Sequence, residues 1–190
     1  MTIQGTQTER NLLTAFAGES QARNRYTYFA KQAQKEGFEE IAAAFLEIAT
    51  QESVHAKQFF KRLAGGKVEV RAQFPAGVIG TTAENLMAAA DGEQEEWGAM
   101  YPEFARIAQE EGFPVVGQLF QAVAVAEKHH ETRYRAFLRA IETGRVFKRD
   151  APVVWRCRHC GYTQTGPEAP KACPACAHPQ AHFEIFRGVD

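Results

Sequence analysis

The sequence predicts a mainly α protein: a four-helix bundle with a long crossover, followed by a small β-rich domain built on four cysteines. Three observations carry this. Up to about residue 145 the chain is rich in Ala and Glu, and its apolar residues recur at three- and four-residue steps, the period of a helix facing a core. The stretch 26–38, YTYFAKQAQKEGF, returns at 101–113 as YPEFARIAQEEGF, identical at eight of thirteen positions. All four cysteines fall within the last 34 residues.

The elements follow in order. The stretches TQTE (6–9) and TTAE (81–84) have the Thr-x-x-Glu form of a capping box and open the first and third helices. Gly37 and Gly112 each follow a charged last turn and suit the left-handed residue that ends a helix. The second helix is expected from about 39 to 64, before Gly65-Gly66, and the fourth from Pro114, where a first turn tolerates proline. Residues 65–80 are too many for a tight turn and read as a crossover, so two short hairpins joined by one long connection make the bundle. It is assigned to 1–145. The stretch 142–152 reads as a linker, and the cysteine domain is assigned to 152–190.

Composition bounds the function. Acids and bases nearly balance, at a formal net charge of -1, which argues against a nucleic-acid binder that coats phosphates. No run approaches the ~20 apolar residues of a membrane span, and the polar start lacks the pattern of a secretion signal. A cytoplasmic location is expected. In a reducing compartment, clustered cysteine pairs are more often metal ligands than disulfides.

The core seams raise the chemical question. The first helix contributes Ala15, Glu19, Ala22, Tyr26, Phe29 and Ala33; the second Ile41, Phe45, Ile48, Glu52, His55 and Phe59. The third contributes Leu86, Ala89, Glu93, Glu96, Met100 and Phe104; the fourth Val116, Phe120, Val123, Glu127, His130, Tyr134 and Phe137. A lone Glu or His in such a row is usually a satisfied polar residue. Five carboxylates and two imidazoles at one level are different, because each buried carboxylate without a partner costs several kcal/mol. No Lys or Arg stands in these rows. Multivalent cations would neutralise the set, and this donor mixture suits iron or manganese. Glu52-x-x-His55 and Glu127-x-x-His130 place acid and imidazole one turn apart on one face. With Glu19 and Glu93 they match the general dinuclear carboxylate pattern of helical bundles.

Two asymmetries stand out. Glu19 and Glu93 are 74 apart, whereas Tyr26 and Tyr101 are 75 apart, so the third helix carries an extra residue. A π-bulge is expected there, helped by Pro102. Glu96 has no acidic counterpart in the first helix, which makes the two metal positions inequivalent. Tyr26 and Tyr101 read as core tyrosines whose hydroxyls find polar partners or orient metal-bound carboxylates.

In the tail, Cys157-x-x-Cys160 and Cys173-x-x-Cys176 can close a tetrahedral all-thiolate site, which zinc and iron both accept. Gly161 and Pro174 supply the turns, His159, His178 and His182 read as surface residues, and 181–186 reads as a closing strand with Phe183 near Trp155.

With both sites in view, the chain resembles the rubrerythrin family over essentially its whole length. The residues that carry this are AFAGESQARNRY (15–26), QESVH (51–55), GEQEEWGAMYP (92–102), AEKHH (126–130), CRHCGY and CPAC, and the tail alone is similar to rubredoxin. The resemblance implies a ferritin-like bundle whose Glu19, Glu52, His55, Glu93, Glu96, Glu127 and His130 bind two irons, with Glu52 and Glu127 bridging. It implies a third iron on Cys157, Cys160, Cys173 and Cys176, zinc being a possible substitute. It also implies that one bundle iron exchanges Glu96 for His55 on reduction, that hydrogen peroxide is reduced to water, and that subunits pair head to tail in a homodimer. Glu52, His55, Glu96 and Glu127 are the expected catalytic residues, Glu96 as a proton donor. No Gly-x-Gly-x-x-Gly fingerprint is present, so an external NAD(P)H-dependent reductase is the expected electron donor. The alternatives are a ferroxidase or iron-storage protein, which needs no cysteine tail, and a zinc-ribbon scaffold, which leaves the seven seam ligands without purpose.

Overall fold

A computed structural model of the chain describes residues 2–186 and 188. Helix α1 spans Gln7–Lys35 and α2 Glu39–Phe60; α3 spans Thr82–Glu95, a π turn Glu96–Met100, α4 Tyr101–Glu110 and α5 Pro114–Glu142. The strands are β1 (Lys148–Cys157), β2 (Thr163–Glu168) and β3 (Phe183–Ile185). No helix among the described residues is long and apolar enough to cross a membrane.

The helix ends follow from local chemistry, with one departure. At α3 the capping box is complete: the Thr81 hydroxyl accepts the Glu84 N–H, and Glu84 accepts the Thr81 N–H at 2.8 Å. At α1 only half of it forms. Thr6 accepts the Glu9 N–H at 3.1 Å, but the Thr6 N–H goes to the Ile3 carbonyl, so Glu9 reaches one residue further back, to the N–H of Gly5. Both hairpins close on a left-handed glycine, Gly37 at φ 82° and Gly112 at φ 81°, and the next amide bonds back across the turn, Phe38 to Ala33 and Phe113 to Ala108. The second helix stops at Phe60, four residues before the expected end, and residues 63–80 form no helix or strand.

The π turn sits between Glu93 and Tyr101, where the repeat offset requires an extra residue, and the Tyr101 N–H bonds to the Glu96 carbonyl five residues back. It also corrects the predicted seam. Beyond the turn the core face passes to Tyr101, Ala105 and Ala108, while Met100 and Phe104 are only half-buried. Inserting one residue rotates everything after it by about 100° around the axis.

A reciprocal clasp ties the two hairpins together. Glu111, at the end of α4, accepts the N–H groups of Gln7 and Thr8 and the Thr8 hydroxyl, so it caps α1. Its repeat counterpart Glu36, at the end of α1, accepts the N–H of Thr82 and caps α3. Burial nudges Glu111 upward, but the Thr8 hydroxyl and these amides outweigh it and hold the carboxyl below its usual range. Glu111→Ala should therefore cost about 1 kcal/mol and lower the thermal midpoint by ~2–4 °C at pH 7. The contribution exists above the unfolded value of ~4.3 and is lost as pH falls through the lower folded value. Melts of parent and variant at pH 7 and below pH 4 check this; equal midpoints at pH 7 would refute it.

The three strands form one antiparallel sheet in the order β2-β1-β3. Trp155 and Phe183 pack with Cys157 and Cys173 in its small core. The sheet rests on the end of the bundle at the α1–α2 turn, where Phe147 stacks on Phe38 at 6.2 Å and Ala181 approaches Gly37.

Candidate metal centres

The bundle core is divided. One apolar cluster holds Tyr26, Phe45, Ile48, Leu86 and Tyr134; a second holds Leu12, Phe59, Tyr101, Phe120 and Val123. Between them lies a polar layer formed where each helix interrupts its apolar stripe. Glu19, Glu52, Glu93 and Glu127 are each at most 1% exposed, and His130 is 7% exposed.

The layer resolves into two overlapping sets of donors. Glu19, Glu52, His55 and Glu127 present ligand atoms within 4.8 Å of one another, and so do Glu52, Glu93, Glu127 and His130. Glu52 and Glu127 belong to both, and each divides its oxygens between them. Glu127 sets Oε1 2.9 Å from His55 Nδ1 and Oε2 2.7 Å from His130 Nδ1. Glu52 sets Oε2 3.1 Å from His55 Nδ1 and Oε1 3.1 Å from His130 Nδ1. Glu19 Oε2 stands 3.7 Å from His55 Nδ1, and Glu93 Oε2 stands 3.5 Å from His130 Nδ1. Glu52 and Glu127 are thus each shared by two overlapping sets of donors, either of which could hold a cation.

The protein's own charges do not balance inside this layer. Burial opposes charging the imidazoles, yet Glu127, Glu19 and Glu52 hold His55 protonated far above its usual range. Glu127, Glu52 and Glu93 push His130 up to about 12 against the same burial. Burial, and then the charge of Glu52, push Glu93 up to about 8; burial chiefly raises Glu19 as well. Glu52 goes the other way, to about 2, because the adjacent imidazoles of His130 and His55 outweigh its burial.

Protons satisfy these groups poorly. Glu19 Oε2, Glu52 Oε1, Glu93 Oε2, both Glu127 oxygens and His130 Nδ1 are buried without a hydrogen-bond partner, although several lie within 3.1 Å of one another. Atoms that close yet so poorly aligned for hydrogen bonds are aimed at shared points between them. Oxygen and imidazole donors around such points fit a hard or borderline divalent cation, and the residues present therefore fit iron.

The surrounding groups brace the donors from the opposite hairpin. The Tyr26 hydroxyl donates to Glu93 Oε1 at 2.5 Å, and the Tyr101 hydroxyl donates to Glu19 Oε1. Each tyrosine thus crosses to the other half of the repeat. Gln51, which the sequence reading passed over, sets its amide oxygen 3.0 Å from His130 Nε2. Its position immediately before Glu52 was the available signal. Tyr134, read as a core residue, brings a wholly buried hydroxyl with no hydrogen-bond partner.

Glu96 stands apart. It belongs to neither donor set among the described residues, and it is half-buried on the π turn. A Cβ on Gly18 would lie 3.9 Å from its Oε1, and it lines a cavity of about 70 Å³ with Gly18, Gln21, Arg25 and Phe74. Burial, then the charge of Glu19, raise its carboxyl well above the usual range. The structure therefore has His55 inside the first donor set and Glu96 beside it.

The four thiols of the tail are free. Cys157 and Cys176 are 3.8 Å apart at sulfur, Cys160 and Cys173 are 3.6 Å apart, and all four sulfurs lie within 4.8 Å of one another. These separations match the edges of a tetrahedron with metal–sulfur bonds of ~2.3 Å. Each pair ends on a left-handed residue, Gly161 at φ 80° and Ala177 at φ 59°. In the second knuckle, therefore, Ala177 takes the strained position beyond Pro174, at a cost of ~1–2 kcal/mol. Burial would raise Cys173, but the amides of Ala175 and Cys176 hold it down, to about 7. His159 and His178 stack at 3.6 Å beside this site.

Comparison with known proteins agrees with both centres. A family profile described as rubrerythrin matches residues 10–138, and one described as the rubrerythrin rubredoxin-like domain matches 155–184. The chain is 57% identical to a rubrerythrin of Porphyromonas gingivalis, covering 97% of this chain and 92% of that one. It is 55% identical to a rubrerythrin of Nitratidesulfovibrio vulgaris, covering 97% and 96%. Among solved structures, nigerythrin in a partially reduced state is 33% identical, with a TM-score of 0.64 over 97% of this chain and 88% of that one. A bacterioferritin of Mycobacterium tuberculosis, 20% identical at a TM-score of 0.63 over 74% of this chain and 90% of that one, shares the bundle fold.

Proposed function

The chain belongs to the rubrerythrin family, and from that premise we propose that it reduces hydrogen peroxide to water at the carboxylate–histidine site of its bundle. The observation that carries this reading is the division of Glu52 and Glu127, one oxygen of each toward either histidine, which supports two adjacent cation positions rather than one. Two ferrous ions held there would supply the two electrons that break the O–O bond. The balance is one peroxide, two protons and two electrons to two waters.

The chain's own residues do the rest. Glu52 and Glu127 set the spacing of the pair. Glu19 and Glu93 close its two ends, each held in place by a tyrosine hydroxyl from the other hairpin. The apolar clusters on either side keep bulk water out. Glu96, adjacent to the donor sets and biased toward its protonated form by burial, is the proton donor. Glu96 and His55 are the two residues that would alternate as ligands on the Glu19 side of the site.

Cys157, Cys160, Cys173 and Cys176 would hold an iron able to return electrons one at a time. An external NAD(P)H-dependent reductase in the cytoplasm supplies them. His130 is roughly 20 Å from the end of α5 at ~1.5 Å per residue, which leaves the tail either to fold back or to reach a second subunit and supports the reading that the tail of one chain serves the bundle of its partner in a head-to-tail homodimer.

The test is rapid mixing. Iron-loaded protein is reduced without air, hydrogen peroxide is added, and the visible absorption of the four-cysteine centre is followed. Fast return of colour in the parent is expected. Return no faster than in the isolated tail chemistry, represented by a Glu127→Ala chain, would move the reading toward iron storage.

A further inference from the structure

We infer that the cavity of about 70 Å³ beside Glu96 is where hydrogen peroxide is held and sorted by size on its way to the bundle site, with Gln21 and Arg25 positioning it and Gly18 and Phe74 setting the limit. This deepens the peroxidase reading and rests on it for the identity of the oxidant.

The cavity lies where the crossover passes over α1 and α3. Gly18, Gln21 and Arg25 come from α1, Gly92 from α3 and Glu96 from the π turn, and Phe74 of the crossover covers them. On one side it adjoins an open cleft of about 940 Å³, with Thr14, Gln73, Glu95 and Met100 lining both. On the other it adjoins the polar layer, since Gly18 immediately precedes Glu19 and Gly92 immediately precedes Glu93. Both glycines sit inside helices, where glycine is less favourable than alanine, and neither has the positive φ that would demand it. Room is therefore the reason for them. A Cβ on Gly92 would meet nothing within 4 Å, and one on Gly18 would touch Glu96 Oε1 and Phe74 Cε1 at 3.9 Å each, so a larger side chain at 18 fills the space.

Two wall residues supply the chemistry. Arg25 Nε and Gln21 Oε1 are buried without a hydrogen-bond partner, a costly arrangement unless something polar occupies the cavity they share. One is a donor and the other an acceptor. Hydrogen peroxide answers both, a lone pair to Arg25 and an O–H to Gln21, and water serves when it is absent. The Arg25 guanidinium is steadied over the Tyr26 ring, 5.6 Å from its centroid. The volume is that of roughly two waters at ~30 Å³ each. Two bonded oxygens match it; a tert-butyl hydroperoxide exceeds it.

The test uses the full iron-loaded chain. Reduced protein is mixed with hydrogen peroxide or tert-butyl hydroperoxide, and return of colour is followed against concentration. Gln21→Ala should raise the peroxide concentration for half-maximal rate roughly 2- to 10-fold, the worth of one hydrogen bond, at an unchanged maximal rate. Arg25→Ala should raise it at least ~10-fold, because a charged donor bonds more strongly, and Arg25→Lys should recover part of the loss. Phe74→Ala, on the exposed crossover, should narrow the preference for hydrogen peroxide over tert-butyl hydroperoxide at least ~10-fold. Azide uptake by the oxidised protein, read from its visible absorption, reports entry without turnover. Gly18→Val should slow it at least ~5-fold, the lower end of the cost of pushing a packed neighbour aside.

Parent-like concentration dependence in both Gln21→Ala and Arg25→Ala, or a parent that takes the two hydroperoxides equally well, overturns the inference, while colour return in that parent keeps the peroxidase reading. Azide uptake at the parent's rate in Gly18→Val puts the entry elsewhere and overturns it too. Slowed azide uptake in Gly18→Val, with no colour return from hydrogen peroxide in the parent, leaves the cavity as the way in and removes the peroxidase reading. Should Gly18→Val not fold, the Gln21, Arg25 and Phe74 variants decide the question alone.

Discussion

Glu127→Ala is expected to empty both cation positions of the bundle at once, whereas Glu19→Ala empties one. Glu127 sends one oxygen to each donor set, 2.9 Å from His55 Nδ1 and 2.7 Å from His130 Nδ1, while Glu19 serves the His55 side alone. Removing a ligand costs more than removing a group that merely orients one, for which ~10- to 100-fold is typical. Peroxide-driven return of colour should therefore fall at least ~100-fold in Glu127→Ala. Iron per chain should drop from about three to about one, the remainder being the four-thiolate ion. Metal analysis beside rapid mixing checks both numbers. A Glu127→Ala protein that keeps two bundle irons would show that the division of its oxygens does not bridge anything.

The second large effect comes from filling the site. Loading the bundle with ferrous iron should release at least about two protons per chain at pH 7, since both imidazoles are held protonated by the surrounding carboxylates until a cation replaces those protons. It should also raise the thermal midpoint by roughly 10 °C, the shift expected when an ion is present at ~1,000 times its dissociation constant.

The two forms respond oppositely to pH. In the metal-free chain His55 and His130 are raised above their unfolded value of ~6.5, so their contribution is complete below that value and is lost as pH climbs toward the folded values. Glu93, pushed up to about 8, acts with the same sign above ~4.3, because the folded chain again holds the extra proton. Glu52, at about 2, contributes above ~4.3 and loses that contribution as pH falls. The loaded chain has given up the imidazole protons, and its affinity for the metal rises with pH. The gap between loaded and metal-free midpoints should therefore widen from pH 6 to pH 8. Calorimetric titration in buffers of different ionisation enthalpy measures the protons, and melts across that range measure the gap. Binding without proton release would mean that the imidazoles are already neutral.

Much of this site is legible before any folding is considered. Glu52-x-x-His55 and Glu127-x-x-His130 share a face because the helical period, a property of local backbone hydrogen bonding, puts residues three apart side by side. The same locality makes the repeat visible, and the difference between offsets 74 and 75 locates the π turn. The paired cysteines declare a four-sulfur site by spacing alone, and the capping threonines and left-handed glycines mark the helix ends.

Other features depend on how helices meet. Nothing local tells Tyr26 to reach Glu93 rather than the Glu19 on its own helix, or brings Gln51 to His130. The same holds for Glu111 capping a helix more than a hundred residues away. The rotation that moved the core face from Met100 and Phe104 to Tyr101 and Ala105 follows from the extra residue, but which side chains then fill the interior is settled by packing against α5. The sequence by itself determined which residues carry the chemistry and at what level of each helix they stand, because rise and rotation per residue are fixed by the backbone. Only the tertiary structure decided which oxygen faces which nitrogen, which histidine meets Gln51, and that His55 rather than Glu96 stands inside the donor set. Those choices rest on side-chain rotamers and interhelical distances, which close packing sets and no local periodicity encodes.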